Sequence, residues 1–202
     1  MTNAPVDLTD PASSESPTQS GEPGRGLRWL LAVGGAIGFL AAFVLTVERY
    51  KLLVDPNYDP TCSINTVLSC GSVMTKPQAA IFGFPNPLLG IAGFAIVTTI
   101  GVVLLTGARL PRWFWLGLQG GVTAAAVLIH WLIYQSIYSI GALCPYCMVV
   151  WAVTVPMFWY VSLYNLRGTA VARSIGRYHA VVLAAWALFL TGIIVTRFAV
   201  GN

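Results

Sequence analysis

Gly141-Ala142-Leu143-Cys144-Pro145-Tyr146-Cys147-Met148 sets a Cys-x-x-Cys pair at the mouth of an apolar run that continues to about Leu163. Read as a helix, the segment has Cys144 near its N-cap, Pro145 at the first helical position and Cys147 in the first turn. Proline suits that place because the first amides of a helix have no intrahelical partner. The unpaired N–H groups and the positive end of the helix dipole favour a thiolate over a thiol, so pKa values fall there. Two thiols so close at a helix start also close a small disulfide reversibly. The pattern reads as a redox pair, with a zinc half-site and two inert core cysteines as the alternatives.

The run behind the pair is one of several. Of 202 residues, 56% are hydrophobic and only 9% charged, and mean hydropathy is +0.74. That is the composition of an integral membrane protein and excludes an ordinary soluble domain. The net charge of +4 comes from 11 Lys and Arg against 7 Asp and Glu, too few and too dispersed for a nucleic-acid partner.

Taken in order, residues 1–26 are rich in Pro, Ser, Thr and Gly and read as a disordered cytoplasmic tail. Residues 27–202 read as a membrane domain of five spans. The apolar stretches are Trp29–Val47, Leu88–Thr106, Trp113–Ile133, Met148–Leu163 and about Ala180–Val200. The first resembles a signal peptide, but it is long enough to span and no small-residue cleavage site follows it. One long polar connection, residues 48–87, carries Cys62 and Cys70, turn signals at Asp55–Pro60, a helical turn from Asn65, and an aromatic end at Ile81–Pro85. That end reads as a lid on the membrane surface, an ordinary solvated loop being the alternative. The fold class is therefore all-α: a four-helix transmembrane bundle with a fifth, peripheral span.

Cation placement orients the bundle. With the N-terminus in the cytoplasm, the inner segments hold Arg25, Arg28, Arg109, Arg112, Arg167, Arg173 and Arg177, and the outer ones Arg49, Lys51, Lys76 and Arg197. In either orientation two spans separate the Cys62/Cys70 loop from Cys144/Cys147, so both pairs emerge on one face. In the favoured orientation that face is extracytoplasmic. Two dithiols on one face pass an electron pair by thiol–disulfide exchange. A pair on a loop reaches a soluble partner; a pair at the rim of a bundle faces a lipid-phase oxidant, a role that a quinone fits. No flavin, haem or nucleotide motif is present to supply oxidising power from within.

Cys62 and Cys70 after the first span, Phe84-Pro85-Asn86-Pro87-Leu88-Leu89-Gly90 opening the second, and Cys144-Pro145-Tyr146-Cys147 opening the fourth together resemble the vitamin K epoxide reductase family. The likeness covers roughly residues 30–165. The disulfide-bond oxidoreductase B family fits less well, because its Cys-x-x-Cys pair comes first. The resemblance implies that Cys62 exchanges with a partner, that Cys70 relays to Cys144 through a transient interloop disulfide, and that Cys147 faces a quinone of the ubiquinone or menaquinone type. It further implies that Asn86 hydrogen-bonds a quinone oxygen and that Trp151 stands where the family has a quinone-contacting tyrosine. The family's loop serine is replaced by Lys76, with Thr75 beside it. Many bacterial members carry a thioredoxin-like domain after the fifth span. Its absence here implies a separate, soluble thioredoxin-fold dithiol oxidase as partner.

Plainer roles compete at each position. Cys62 and Cys70 could form a structural disulfide, and four cysteines could bind zinc, although their spacing is not that of a zinc knuckle. Cys-Pro-Tyr-Cys also resembles a glutaredoxin site, but a spanning helix follows it. Asn86 could cap the second span, Trp151 could anchor at the interface, and Trp113 and Trp115 read best as such anchors. His130 reads better as a buried, hydrogen-bonded group than as a proton relay to quinone. No charged residue sits in the middle of a span, which argues against a transporter. The expected function is a dithiol:quinone oxidoreductase that reoxidises its partner and so supports extracytoplasmic disulfide formation. A non-enzymatic membrane scaffold with structural disulfides, or reduction of vitamin K or its epoxide as the physiological task, are the other readings.

Overall fold

The computed structural model describes residues 22–169 and 176–199. Residues 1–21 of the expected tail lie outside them, and Arg25 and Gly26, assigned to that tail above, already belong to the first helix. Among the described residues the chain is helical, with one isolated β-bridge. In order come α1 (Arg25–Val54), a short α2 (Cys70–Met74), α3 (Asn86–Leu105), α4 (Arg112–Ile140), α5 (Pro145–Leu166) and α6 (His179–Ala199). All but α2 are long and apolar enough to cross a membrane, and the protein is a multi-pass membrane protein.

Two helices outrun their apolar stretches. α1 continues past Val47 to Val54 because Glu48 is not solvated: it is only 4% exposed and bonds to the following loop. α4 continues past Ile133 through a π-helical turn, Gln135–Ile140, and stops at Gly141, whose φ of +68° suits a residue without a Cβ. That turn swings the chain directly into Ala142–Cys144.

In a membrane, burying apolar area gains little, because lipid is as apolar as leucine; close backbone approach holds helices together instead. α1 packs along α3 and α5, and α4 along α5. The α1–α3 seam is built from small residues. A Cβ on Gly101 would collide with the Ala32 backbone, and one on Gly35 would come within 2.6 Å of Thr98 Oγ1. The closest approach falls in a π-helical turn of α1, Leu30–Gly34. Across the α4–α5 seam, Gln119 Nε2 donates to Ser162 Oγ (2.9 Å), and Asn165 Nδ2 donates to Gln119 Oε1 (3.1 Å).

Trp115 corrects the interfacial reading. It is 2% exposed, with its ring 4.1 Å from that of Tyr164, whereas Trp113 is 72% exposed, as an anchor should be. α6 lies outside the four-helix bundle, its Trp186, Leu190 and Ile194 packing near Ile129 and Ile133 of α4. His130 belongs to that contact: its Nδ1 meets the Ala126 carbonyl at 2.7 Å and its Nε2 accepts from Trp186 Nε1 at 3.1 Å. It is hydrogen-bonded, as expected, but exposed on the outer face of α4 and not buried.

Candidate redox site

Three sets of bonds position the cysteines. At the end of α1, the Glu48 carboxylate accepts from the Thr61 backbone N–H (3.1 Å), the Tyr58 hydroxyl (3.1 Å) and Lys51 Nζ (3.3 Å). This ties residue 61, and so Cys62, to the bundle. Next, the Asn65 side chain accepts from the N–H groups of Val67 (3.0 Å) and Leu68 (2.7 Å). The turn expected to be helical from Asn65 is an Asx turn that goes no further, because Leu68 is drawn into a bridge with Leu143. Finally, Leu143 N–H donates to the Val67 carbonyl (2.7 Å) and Ser69 N–H donates to the Leu143 carbonyl (2.9 Å). Leu143 and Ser69 each lie just before a cysteine. Ser69 also caps α2, its Oγ accepting from Ser72 N–H at 3.2 Å, so Cys70 begins that helix.

The outcome is a chain of sulfurs. Cys62 and Cys70 are disulfide-bonded, Cys144 and Cys147 are free, and Cys70 Sγ lies 3.1 Å from Cys144 Sγ. Cys70 and Cys144 are fully buried, and Cys62 is 6% exposed. As the sequence predicts, Cys144 is the N-cap of α5, Pro145 its first residue and Cys147 lies in its first turn. Hydrogen bonding from the Cys147 thiol, with further help from the Cys147 and Tyr146 backbone N–H groups, holds the Cys144 thiol below the ordinary cysteine range despite its burial. Among the described residues no cluster of His, Cys, Asp or Glu suits a metal ion.

Cys144 and Cys147 also border an apolar cavity of about 550 Å³. It is lined by Gly90 and Gly93 of α3, by Gly117 and Gly121 of α4, and by residues of α1 and α5. No atom lies within 4 Å of where a Cβ on Gly117 or Gly121 would sit, so those glycines leave room. Ile96, Gly117 and Gly121 line the cavity and are exposed on the bundle surface, so it opens sideways between α3 and α4.

Trp151 lines the cavity and is buried, a position no interfacial anchor holds. Asn86 lines it too, yet its amide also fastens the loop: Nδ2 donates to the Gln78 carbonyl (2.7 Å) and Oδ1 accepts from Ile81 N–H (3.1 Å). Asn86 thus hydrogen-bonds at the start of the second span without capping it: it is the first residue of α3, and its amide holds the loop, not the first amides of the helix. Thr75 Oγ1 donates to the Gly71 carbonyl at 3.0 Å, closing the end of α2, and Lys76 is exposed. Sequence reasoning missed Glu48, Arg49, Gln78 and the Leu143 backbone. A lone glutamate at the end of an apolar run was the one signal available.

The chain matches the vitamin K epoxide reductase family model over residues 29–162. No curated protein matches it. Members of this family are membrane thiol–disulfide oxidoreductases associated with quinones. With its sulfur chain, its helical bundle and a match over most of its length, this protein belongs to the vitamin K epoxide reductase family.

Proposed function

We propose that the chain is a dithiol:quinone oxidoreductase that reoxidises a soluble thioredoxin-fold partner outside the cytoplasm. The observation that carries this reading is the 3.1 Å approach of Cys70 and Cys144, on the wall of a lipid-facing cavity that Cys147 shares. A partner thiolate attacks Cys62 and the Cys62–Cys70 bond breaks; the partner's second thiol then displaces Cys62 and leaves as a disulfide. Cys70 attacks Cys144 of a Cys144–Cys147 disulfide, freeing Cys147. Cys62 next attacks Cys70, restoring the loop disulfide and freeing Cys144. Two electrons have then moved to Cys144 and Cys147, and the bonding pattern is the one described above.

The cavity fits a quinone: it is apolar along its length and carries a few polar groups near the sulfurs, among them Gln78 Oε1, buried without a partner among the described residues. A bound quinone of the ubiquinone or menaquinone type supplies an acceptor for the two electrons and two protons that Cys144 and Cys147 release as their disulfide re-forms. Asn86 has a second N–H available to orient a carbonyl oxygen, and Trp151 packs the ring.

The test is quinone-dependent oxidation of a reduced thioredoxin-fold donor by the purified protein in detergent. Donor thiols should disappear only with quinone present, and Cys147→Ala should stop the turnover. Undiminished turnover in Cys147→Ala would overturn the assignment. Cys147→Ser should accumulate a Cys70–Cys144 disulfide, read by non-reducing mass mapping.

A further inference from the structure

The cavity wall holds two groups that the sulfur relay does not use. Arg49 is the one Asp, Glu, Lys or Arg among the described residues that line it, and it makes no ion pair among them. Half-buried and without a counter-charge among the described residues, its guanidinium is available to a negative group that arrives in the cavity. Its place is fixed by the helix: Leu45, one turn before it on α1, packs with Cys70 and Cys144 and lines the same cavity. Arg49 therefore sits at the sulfur end. Gln78, on the loop above, is the second group, its Oε1 buried and unsatisfied. A buried acceptor without a donor has a use when a hydroxyl arrives.

We propose that Arg49 and Gln78 form the charge-accepting end of the cavity, with Arg49 the counter-charge for the electron pair leaving Cys144 and Cys147, and Gln78 an acceptor for a ring hydroxyl. This rests on the quinone reading above and adds a preference. The site takes quinones that carry an ionised ring oxygen more tightly than neutral ones. Two thiols become one disulfide as two electrons and two protons pass to the ring, so negative charge arrives at the ring oxygens ahead of or with the protons. A guanidinium fixed there favours that transfer without itself losing a proton.

The experiment titrates quinone-depleted protein in nanodiscs with two probes and follows tryptophan fluorescence, without turnover. One probe is menadione, which is neutral; the other is 2-hydroxy-1,4-naphthoquinone, which is ionised at neutral pH. Arg49→Gln should weaken the ionised probe about tenfold, the size of a lost charge-assisted contact, and shift menadione less than threefold. Arg49→Lys should recover part of the loss. Gln78→Leu should leave the ionised probe, which has lost its hydroxyl proton, within threefold, and should weaken menadiol, the reduced ring with two hydroxyls titrated anaerobically, by about threefold to tenfold. An Arg49→Gln protein that binds both probes like the parent, or loses both equally, overturns the role of Arg49. Unchanged menadiol binding in Gln78→Leu overturns that of Gln78. If the parent protein binds neither probe, it is the quinone reading itself that fails.

Discussion

Leu143 and Leu68 pair as a single parallel bridge, with the Leu143 N–H on the Val67 carbonyl and the Leu143 carbonyl on the Ser69 N–H. Each strand of the bridge runs straight into a cysteine, so this small clasp is what sets Cys70 against Cys144. Its removal is the first prediction. Leu143→Pro deletes the donor to Val67, a loss of about 1 kcal/mol for one buried backbone bond. The buried Leu143 side chain is lost as well, so in a Cys147→Ser background the yield of the Cys70–Cys144 disulfide should fall at least about fivefold, measured by non-reducing mass mapping. An unchanged yield would mean that the loop finds its place without the clasp.

Glu48 is a second fastening, on the other side of the loop. Cys62 is nearly closed off, so the partner proposed above would reach it by opening the loop that Glu48 ties down at Thr61. Glu48→Ala leaves the Thr61 N–H and the Tyr58 hydroxyl without their acceptor. Bonds to a charged group contribute about 1.5–3 kcal/mol each when buried, so the loop should open far more often. Mild reduction followed by alkylation should label Cys62 at least about tenfold faster in the variant, while the helix content by circular dichroism stays the same.

The seams and the cavity predict opposite outcomes for two glycines. Gly101→Ala drives a methyl into the Ala32 backbone, and neither helix can yield without parting the α1–α3 seam. Overpacking of this kind costs about 1–3 kcal/mol, seen as a lower midpoint in denaturant titration of the detergent-solubilised protein. Gly121→Leu meets open space and should leave that midpoint unchanged. It fills the cavity instead, so quinone-dependent turnover should fall at least about tenfold while the Cys70–Cys144 disulfide still accumulates in a Cys147→Ser background.

These contrasts mark what the sequence could and could not carry. The Cys144-Pro145-Tyr146-Cys147 helix start was legible because capping is local: a proline and the first-turn amides declare it within four residues. The spans were legible because each needs an unbroken apolar run. The helix ends at Val54 and Ile140 were not, since a buried glutamate and a π-helical turn depend on partners distant in the chain. Trp115 misled for the same reason: tryptophan near a helix end suits an interface, and its packing with Tyr164 and with the cluster around Leu31, Leu104 and Val161 makes it core. The clasp at Leu143 uses backbone atoms, which no residue type announces. The cavity is an absence of side chains on α3 and α4, and glycines alone do not say which faces meet.

The last prediction concerns pH. In the reverse of the last exchange Cys144 attacks Cys70 as a thiolate, so its exchange with the Cys62–Cys70 disulfide speeds up as pH rises toward its pKa and is level above it. Because the Cys147 thiol, helped by the first amides of α5, holds that pKa down, the rate should reach half its plateau below about 8.5, where an ordinary cysteine would. Cys147→Ala removes the leading donor and should move the midpoint upward, whereas Cys147→Ser, which keeps an O–H donor, should move it less. Single-turnover quench measurements of Cys70–Cys144 bond formation across pH 5–10 give both midpoints (the range being about that needed to bracket them). A Cys147→Ala midpoint equal to that of the parent protein would assign the depression to the helix amides alone and remove Cys147 from the activation of its neighbour.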